Sequence, residues 1–540
     1  MNFDQFVLLA SVLVPAFVSV FLFSGFVKSE DLVKKIGFAA FAVPFLASIF
    51  LYFQFDHGSA PGYQFEILHQ QIGLHEFGIH FHLGLNGVSL PLFVMAGLVG
   101  LAAGLAAICS GAERLRLYLA LLSLMQAGLM GLFSSVDLFF YFLFHEFALV
   151  PTFIMIGLWG GRDRRTVALE ITIYLTLGAL VTLGGLIALN VFAEAEKFDF
   201  PSLSLVLVEH GLSDSIQFKV FGLLLFGFGI LVALFPFHTW APRGYSSAPT
   251  SVAMLHAGVL KKFGLYGLVQ VAVPLLPAGA IEWSEILLWL ALGNVLFVGF
   301  VTLAQSNLKS MVGYGSVMHM GYCFLGVAAC SALGAGSAVM LMVAHGLSVS
   351  LMFLLSSYVH RRCGTLEMDE MGGLAAKAPL LACFFVAAVL ATIGLPGFGN
   401  FWGEFGVFMS LGERPETRFA LGLGALGIIL SAVFGLRAIA NVFFGKQTSD
   451  FEEFEKDNPV ADLKIAEMVP AGFLVSALLL IGLWPLSISK GIDAEINERF
   501  EAFESISSLA LPSCCADLEL SSEENGTKVD TQATGEVTDE

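Results

Sequence analysis

Five ionisable residues lie near the middle of long apolar segments, where a charge is costly to accommodate. They are Glu146, Lys262, His319, His345 and Glu404. An ionisable side chain at mid-bilayer depth costs at least about 2.5–3.5 kcal/mol on insertion scales, so each one needs a partner, water or a function. Acids, a lysine and imidazoles on separate helices can pass protons when water links them, because each group can accept and release a proton. We therefore interpret this set as a proton path.

Neighbouring ionisable residues form a second group of candidates with simpler alternatives. His145 precedes Glu146 and could tune it, although a packing role is equally compatible with the sequence. Lys261 precedes Lys262 but points about 100° away on a helix, toward another cavity or toward the interface. Lys219 begins an apolar segment, where an interfacial anchor is the simpler interpretation. A single intramembrane histidine is also commonly a hydrogen-bond donor between helices, so the argument rests on the whole set.

The elements that position these residues are membrane-spanning helices. The chain has 540 residues, 57% of them hydrophobic and 13% charged, with mean hydropathy +0.82. A water-soluble domain of this composition would expose large apolar patches. Apolar runs of about 20 residues recur to about residue 489, each long enough to cross a hydrocarbon core of about 30 Å. We predict an all-α integral membrane fold of about fourteen transmembrane helices. The predicted spans are 5–27, 35–53, 88–109, 115–133, 136–158, 167–192, 217–237, 249–275, 283–304, 310–331, 335–358, 378–410, 419–443 and 467–489.

Basic residues set the predicted orientation in the bilayer. They cluster in alternate loops, which the positive-inside rule places in the cytoplasm. Arg414 and Arg418 are the main exceptions. We therefore expect a multi-pass membrane protein with both termini on the non-cytoplasmic side. The clustered residues are Lys28, Lys34, Lys35, Arg114, Arg116, Arg162, Arg164, Arg165, Arg243, Lys309, Arg361, Arg362 and Lys446.

Two predicted spans contain residues that interrupt a continuous helix. Pro236 lies in the seventh span, and the run LPGFGNFWG (395–403) lies in the twelfth. Irregular backbone at membrane depth is tolerated where it is buried in protein or lines a wet cavity. Broken seventh and twelfth helices are therefore the architecture of an ion path. A proline kink without function is the alternative for either break alone.

The C-terminal segment differs in composition from the rest of the chain. Residues 491–540 carry 13 acidic and 2 basic residues, so −11 of the net charge of −18 belongs to this tail. We predict a polytopic membrane domain at 1–490, with a proton-conducting core at about 115–410, and an acidic, disordered tail at 491–540. The overall charge gives no argument for nucleic acid. The seven cysteines show no metal-ligand spacing, so we expect no metal site in this chain.

Six sequence runs extend in order through nearly all of residues 80–445. They are HLGLNGVSLPL (82–92), SVDLFFYFLFHEFALVPTFIMIGLWGG (135–161), PFHTWAPRGYSSAPTSVAMLHAGVLKKFGLYG (236–267), NLKSMVGYGSVMHMGYC (307–323), HGLSVSLMFLLSSYVHRR (345–362) and IGLPGFGNFWGEF (393–405). These runs resemble the antiporter-like subunits of bacterial NADH:quinone oxidoreductase, the respiratory complex I, and subunit M most of all. The resemblance implies that the protein resides in a bacterial inner (plasma) membrane.

The resemblance implies two inverted five-helix repeats, each with a broken helix, around a hydrated axis of charged residues. It assigns the fifth-helix glutamate to Glu146, the central lysine to Lys262 and the exit-side residue to Glu404. His319 and His345 match axial histidines, and His238 matches the histidine after the seventh-helix break. The chain would then be a proton-translocating subunit of the enzyme without a redox site of its own. NADH, flavin, iron–sulfur clusters and quinone would bind other subunits, and the partners would be membrane subunits, protons and lipid.

The chain departs from the family pattern around Glu146. A family lysine that pairs with the fifth-helix glutamate is replaced by Leu231, and Lys219 lies about 18 Å away along a helix. Smaller departures lie nearby. Ala233 stands where the family has the first proline of the seventh-helix break, Asn86 where it has an acidic residue in the HLGLNG run, and Glu170 where it has a basic residue in the sixth helix. Arg243 and Tyr245 stand at the usual acidic and histidine positions after the tryptophan. We predict altered coupling in the first repeat.

Two other functions remain open at this point. One is a subunit of a multi-subunit cation/proton antiporter or of a membrane-bound hydrogenase, since these share the fold and motifs. The other is a non-pumping scaffold that binds partner subunits, including a variant that couples the membrane unit to a soluble protein of inorganic-carbon chemistry. Proton pumping by variants of Lys262 and Glu404 separates pumping from scaffolding.

Overall fold

A computed structural model describes residues 1–57 and 61–510 as a bundle of helices with one small sheet. In chain order the elements are α1 (Phe3–Phe23), α2 (Glu30–Gln54), β1 (Gln64–Leu74), β2 (Ile79–Leu85), α3 (Ser89–Ile108), α4 (Leu115–Ser134), α5 (Leu138–Trp159), α6 (Arg164–Ala193), α7 (Phe200–His210), α8 (Asp214–Val232), α9 (Trp240–Ser247), α10 (Thr250–Leu275), α11 (Pro277–Leu303), α12 (Leu308–Ala328), α13 (Ala332–Cys363), α14 (Pro379–Thr392), α15 (Gly399–Glu413), α16 (Arg418–Phe443), α17 (Ser449–Asp457), α18 (Ile465–Leu483) and α19 (Leu486–Ala510).

The predicted number of crossings is confirmed for the described part of the chain. Twelve of its helices are long and apolar enough to span a membrane. The helix α12 is also long enough, with 21 residues, although it is less apolar. The interrupted pair α14–α15 provides one further crossing, which brings the number to fourteen. The element bounds lie within a few residues of most predicted spans.

Both predicted helix breaks are present. The helix α8 ends at Val232, Ala233 adopts a left-handed φ of 72°, and helix resumes at α9. The second break separates α14 from α15, with Gly394 at φ 74° and Gly397 at φ 103°. Glycine is favoured at both positions because other residues are strained at positive φ. The breaks lie in the seventh and twelfth crossings, as predicted.

One end of the bundle carries structure that the sequence analysis did not predict. The strands β1 and β2 form an antiparallel hairpin, and we name this side of the molecule the hairpin end. The start of α1 and the start of α19 lie here. The side chain of Gln5 donates to the Glu66 carbonyl over 2.6 Å, and the Tyr52 hydroxyl contacts the Ser487 carbonyl.

Helical structure extends beyond the predicted domain boundary at residue 490. The helix α19 continues to Ala510, and Ile492, Ile496 and Phe500 are buried against the bundle. The prediction of disorder is therefore wrong for residues 491–510. Residues 511–540 lie outside the described residues, so the acidic tail stays a prediction there.

The two most deeply buried helices are α10 and α13. Both are buried throughout their apolar lengths, whereas α1, α6 and α16 expose much of theirs. On α6, Leu169, Ile173, Leu177 and Leu180 form an exposed apolar stripe, which is suited to contact with acyl chains or another membrane subunit. Lys261 and Lys262 on α10 and His345 on α13 consequently lie in the protein interior rather than in lipid.

The helix α10 is irregular where it carries its lysines. Residues His256–Leu260 and Leu268–Ala272 form π-helical turns. The N–H group of Lys261 donates to the His256 carbonyl over 3.0 Å, five residues back rather than four. Such π-turns are frequent at functional sites. This one rotates the two lysines relative to the preceding helix.

Candidate functional site

The central contact of the site joins α10 to α13. The Lys262 ammonium Nζ lies 3.0 Å from His345 Nδ1 and donates to the Ala257 carbonyl over 2.8 Å. That carbonyl belongs to the first π-turn of α10. Lys262 and His345 are 0% and 1% exposed. Two proton carriers that are 83 residues apart in sequence therefore touch in the core.

A second pair continues the site toward the break between α14 and α15. His319 on α12 has its Nδ1 atom 3.3 Å from Glu404 Oε1, at ion-pair distance but without hydrogen-bond geometry. The rings of His319 and His345 have centroids 5.9 Å apart. A Cβ atom added to Gly394 would overlap Glu404 Oε2. The left-handed glycine in the break thus makes room for the carboxylate.

The four residues form one continuous row through the second half of the bundle. Its order is Lys262, His345, His319 and Glu404, and every member is at most 5% exposed. A small cavity of about 20 Å³, enough for one water molecule, lies beside His319 and His345. Ser316 and Thr392 contribute hydroxyl groups to its lining. The arrangement can pass a proton between neighbouring groups over short separations.

Glu146 lies apart from this row. Its Oε1 atom is 3.2 Å from His145 Nδ1, which is its only ion-pair partner among the described residues. The Glu146 side chain is 29% exposed, whereas that of His145 is 3% exposed. The carboxylate lies beside the outward-facing residues Phe147 and Val150 of α5. It is therefore at the edge of the bundle, open to a neighbouring subunit or to the lipid boundary.

The secondary candidates separate into buried and exposed residues. His145, His238 and Lys261 are buried, whereas Lys219 is exposed near the start of α8, as an anchor would be. The Lys261 ammonium Nζ lies 3.3 Å from the Ser316 carbonyl and 3.4 Å from its hydroxyl. The interpretation that Lys261 reaches the interface is wrong.

With this geometry described, comparison with known proteins becomes informative. Residues 135–431 match the family model described as NADH:quinone oxidoreductase/Mrp antiporter, transmembrane. NADH-quinone oxidoreductase subunit M of Rickettsia bellii is 32% identical over 445 residues, which cover 82% of this chain and 87% of the relative. The chain belongs to the NADH:quinone oxidoreductase/Mrp antiporter membrane family. The predicted resemblance to subunit M is thereby confirmed.

Solved structures support the same assignment for the fold. A chain of respiratory complex I from Thermus thermophilus superposes with a TM-score of 0.81 at 28% identity, covering 92% of this chain and 99% of that one. A chain of the Mrp complex from a Dietzia species superposes with a TM-score of 0.80 at 18% identity, covering 94% and 100%. The second similarity shows the fold alone.

Leu231 stands where the resemblance leads us to expect a lysine, and this part of α8 carries no positive charge. Leu231 is 3% exposed and packs close to Gly178 of α6. Lys219, at the far end of the same helix, forms no ion pair within the described ranges. No lysine or arginine within the described residues forms an ion pair with Glu146. Whether the first repeat is coupled differently stays a prediction.

Two further positions that depart from the expected family pattern contact each other. They are Glu170 on α6 and Arg243 on α9. The Arg243 guanidinium lies 2.6 Å from the Glu170 carboxylate, with side chains 52% and 20% exposed. The two residues therefore form an ion pair between α6 and α9.

The sequence analysis missed a buried polar network at the hairpin end. Asn86 donates to Glu495 over 3.2 Å, and Arg499 donates to the same carboxylate over 2.6 and 2.9 Å. The side-chain amide of Gln270 is oriented with its oxygen toward the surrounding donors. In this orientation the oxygen accepts hydrogen bonds from the Asn86 amide and the Tyr63 hydroxyl, each over 2.8 Å. The departure at Asn86 thus coincides with a carboxylate supplied by α19. An amphipathic pattern in residues 488–500 was the available signal.

Proposed function

We propose that this chain is a proton-translocating membrane subunit of an NADH:quinone oxidoreductase-type complex, in the position of subunit M. The observation that carries the proposal is the continuous row of buried proton carriers from Lys262 to Glu404 across four helices. Burying these groups against lipid-like surroundings is unfavourable unless they interact with one another. Lys262 contacts His345, and His319 contacts Glu404. The small cavity lined by both histidines joins these two pairs, and together with the two helix breaks the arrangement is suited to an ion path.

The row supports a stepwise transfer of one proton. The Lys262 ammonium can give its proton to His345 Nδ1, 3.0 Å away, which leaves a neutral amine and an imidazolium. The imidazolium proton passes through the cavity beside His319, and Glu404 receives it as a carboxylic acid. Release from Glu404 restores the carboxylate, and reprotonation of Lys262 completes the cycle. Conformational changes elsewhere in the complex would set the direction.

The energy source and the remaining partners lie outside this chain in our proposal. Other subunits carry NADH, flavin, iron–sulfur clusters and quinone, and further membrane subunits contact the exposed apolar helix faces. The protein resides in a bacterial inner membrane with the hairpin end on the non-cytoplasmic side, because the loops at the opposite end hold most of the lysines and arginines. Reporter fusions to the α1–α2 and α2–α3 loops test this orientation, and a cytoplasmic hairpin end would contradict it.

The function is tested with Lys262→Ala and Glu404→Gln in the assembled complex. Each variant removes one proton carrier from the row, so we expect fewer protons translocated per NADH oxidised in proteoliposomes. Redox turnover with an uncoupler present and the amount of assembled complex serve as controls. Wild-type stoichiometry in both variants would reject proton translocation by this chain.

A second candidate function is a non-pumping scaffold that binds partner subunits. It is favoured by Glu146, which has no lysine or arginine partner among the described residues and is partly open at the bundle edge. A scaffold predicts that Glu146→Ala weakens assembly while Lys262→Ala and Glu404→Gln leave stoichiometry unchanged. Native gel analysis beside the pumping assay separates the two functions.

A further inference from the structure

The row from Lys262 to Glu404 leaves a second buried lysine unused. Lys261 is 1% exposed and has no carboxylate ion-pair partner among the described residues. Its ammonium contacts Ser316 and lies 5.5 Å above the centre of the Tyr245 ring. A buried lysine with only neutral contacts is costly. Such a residue is expected to have a role beyond packing.

The π-turn of α10 aligns Lys261 with a buried histidine. Because the Lys261 N–H group bonds to the His256 carbonyl five residues earlier, the two side chains lie on the same side of the helix. His256 is 2% exposed, and its ring centroid lies 5.2 Å from that of Tyr245. The Tyr245 hydroxyl is buried without a hydrogen-bond partner among the described residues. Two buried side chains with groups that can bind or donate a proton, His256 and Tyr245, therefore adjoin Lys261.

This cluster faces both parts of the site described above. On one side, α5 packs against the π-turn that begins at His256. The ring of His145 on α5 stacks on Phe263 of α10 with centroids 4.0 Å apart, and His145 contacts Glu146. On the other side, Ser316 lies one helical turn before His319 on α12, and both line the small cavity. Lys261 thus occupies the interval between the Glu146–His145 pair and the His319–Glu404 pair.

We infer that Lys261 is a second proton-carrying lysine, which joins the Glu146–His145 pair to the His319–Glu404 pair through His256 and Ser316. The inference rests on the proposed function and adds a branch parallel to Lys262–His345. The Lys261 amine takes a proton from the protonated His256 ring and becomes an ammonium. It then gives a proton toward His319 through the Ser316 hydroxyl and the adjoining cavity, and returns to the neutral amine.

Two adjacent lysines also provide a means of ordering the branches. Ammonium groups on consecutive residues repel each other strongly in a low-dielectric interior. A proton on Lys261 therefore opposes a proton on Lys262. The two lysines would load in alternation, so that protons enter the His319–Glu404 pair from one branch at a time.

The test compares Lys261→Met with Lys261→Arg in the assembled complex. Methionine fills the site without a charge, while arginine keeps the charge but does not release its proton. We expect both variants to lower the protons translocated per NADH by about as much as Lys262→Ala. Lys309→Met is the matched control, because the Lys309 ammonium donates only to the Ala248 carbonyl at the end of α9 among the described side-chain hydrogen bonds. It should keep wild-type stoichiometry.

Each outcome decides the role of Lys261 separately from the proposed function. Reduced pumping by Lys262→Ala with normal pumping by Lys261→Met overturns the inference alone. Normal pumping by Lys261→Arg also overturns it, because a fixed charge would then suffice. If neither Lys262→Ala nor Lys261→Met changes pumping, the proposed function fails.

Should Lys261→Met assemble poorly, Ser316→Ala provides a milder test. It should reduce pumping in the wild type and have no further effect beside Lys261→Arg, and additive losses would contradict the relay.

Discussion

The glycine in the second helix break is expected to control proton transfer through the position of a carboxylate. Gly394 has φ 74°, and a Cβ atom there would overlap Glu404 Oε2. The substitution Gly394→Ala forces the carboxylate to move by about 1 Å, a displacement that can slow a positioned reaction on the order of 10²-fold. The left-handed backbone adds about 1–2 kcal/mol of strain for alanine. We therefore expect a small loss of stability and a large loss of proton translocation.

Gly397→Ala is the matched control for this prediction. Gly397 lies in the same break with φ 103°, so alanine is strained there too, but a Cβ atom would meet nothing within 4 Å. Both variants should lower the thermal stability of the complex. Only Gly394→Ala should reduce protons translocated per NADH in proteoliposomes, to the level of Glu404→Gln. Equal pumping by the two alanine variants would refute the proposed contact between the break and the carboxylate.

Two further predictions concern contacts that the structure revealed. Glu170→Arg or Arg243→Glu should each destabilise the α6–α9 contact by about 0.5–1 kcal/mol because these partly exposed charges then repel. The double substitution should recover most of the loss. Thermal denaturation of the wild type and the three variants measures this, and additive losses in the double variant would contradict the ion pair. Glu495→Ala removes the carboxylate that accepts hydrogen bonds from Asn86 and Gly62 and so joins α19 to the bundle, and it leaves Arg499 without its ion-pair partner. The substitution should release the helix at a cost of about 2–3 kcal/mol. Limited proteolysis near residue 490 reports the release, with the exposed Glu498→Ala as the control. Equal cleavage of both variants would show that the Glu495 carboxylate does not hold the helix.

The membrane topology could be determined from the sequence because the responsible signals are local. A run of about 20 apolar residues must form its own hydrogen bonds in lipid, so its length alone predicts a crossing helix. Prolines and glycines interrupt that pattern where they occur, which located the breaks near Pro236 and Gly397. Ionisable residues within such runs are equally visible. Short amphipathic elements carry a weaker signal, and the hairpin and the ordered start of α19 were missed.

The connections between the charged residues were decided only by the tertiary structure. Glu146 and Glu404 look alike in sequence, as acids within apolar helices, yet one lies at the bundle edge and the other is buried beside His319. The direction of Lys261 depended on a π-turn, and an extra residue per turn leaves no distinct pattern in side-chain types. Contacts such as Lys262 with His345 depend on how distant helices pack. The sequence therefore determined which groups can carry protons, and packing determined which of them can exchange protons with one another.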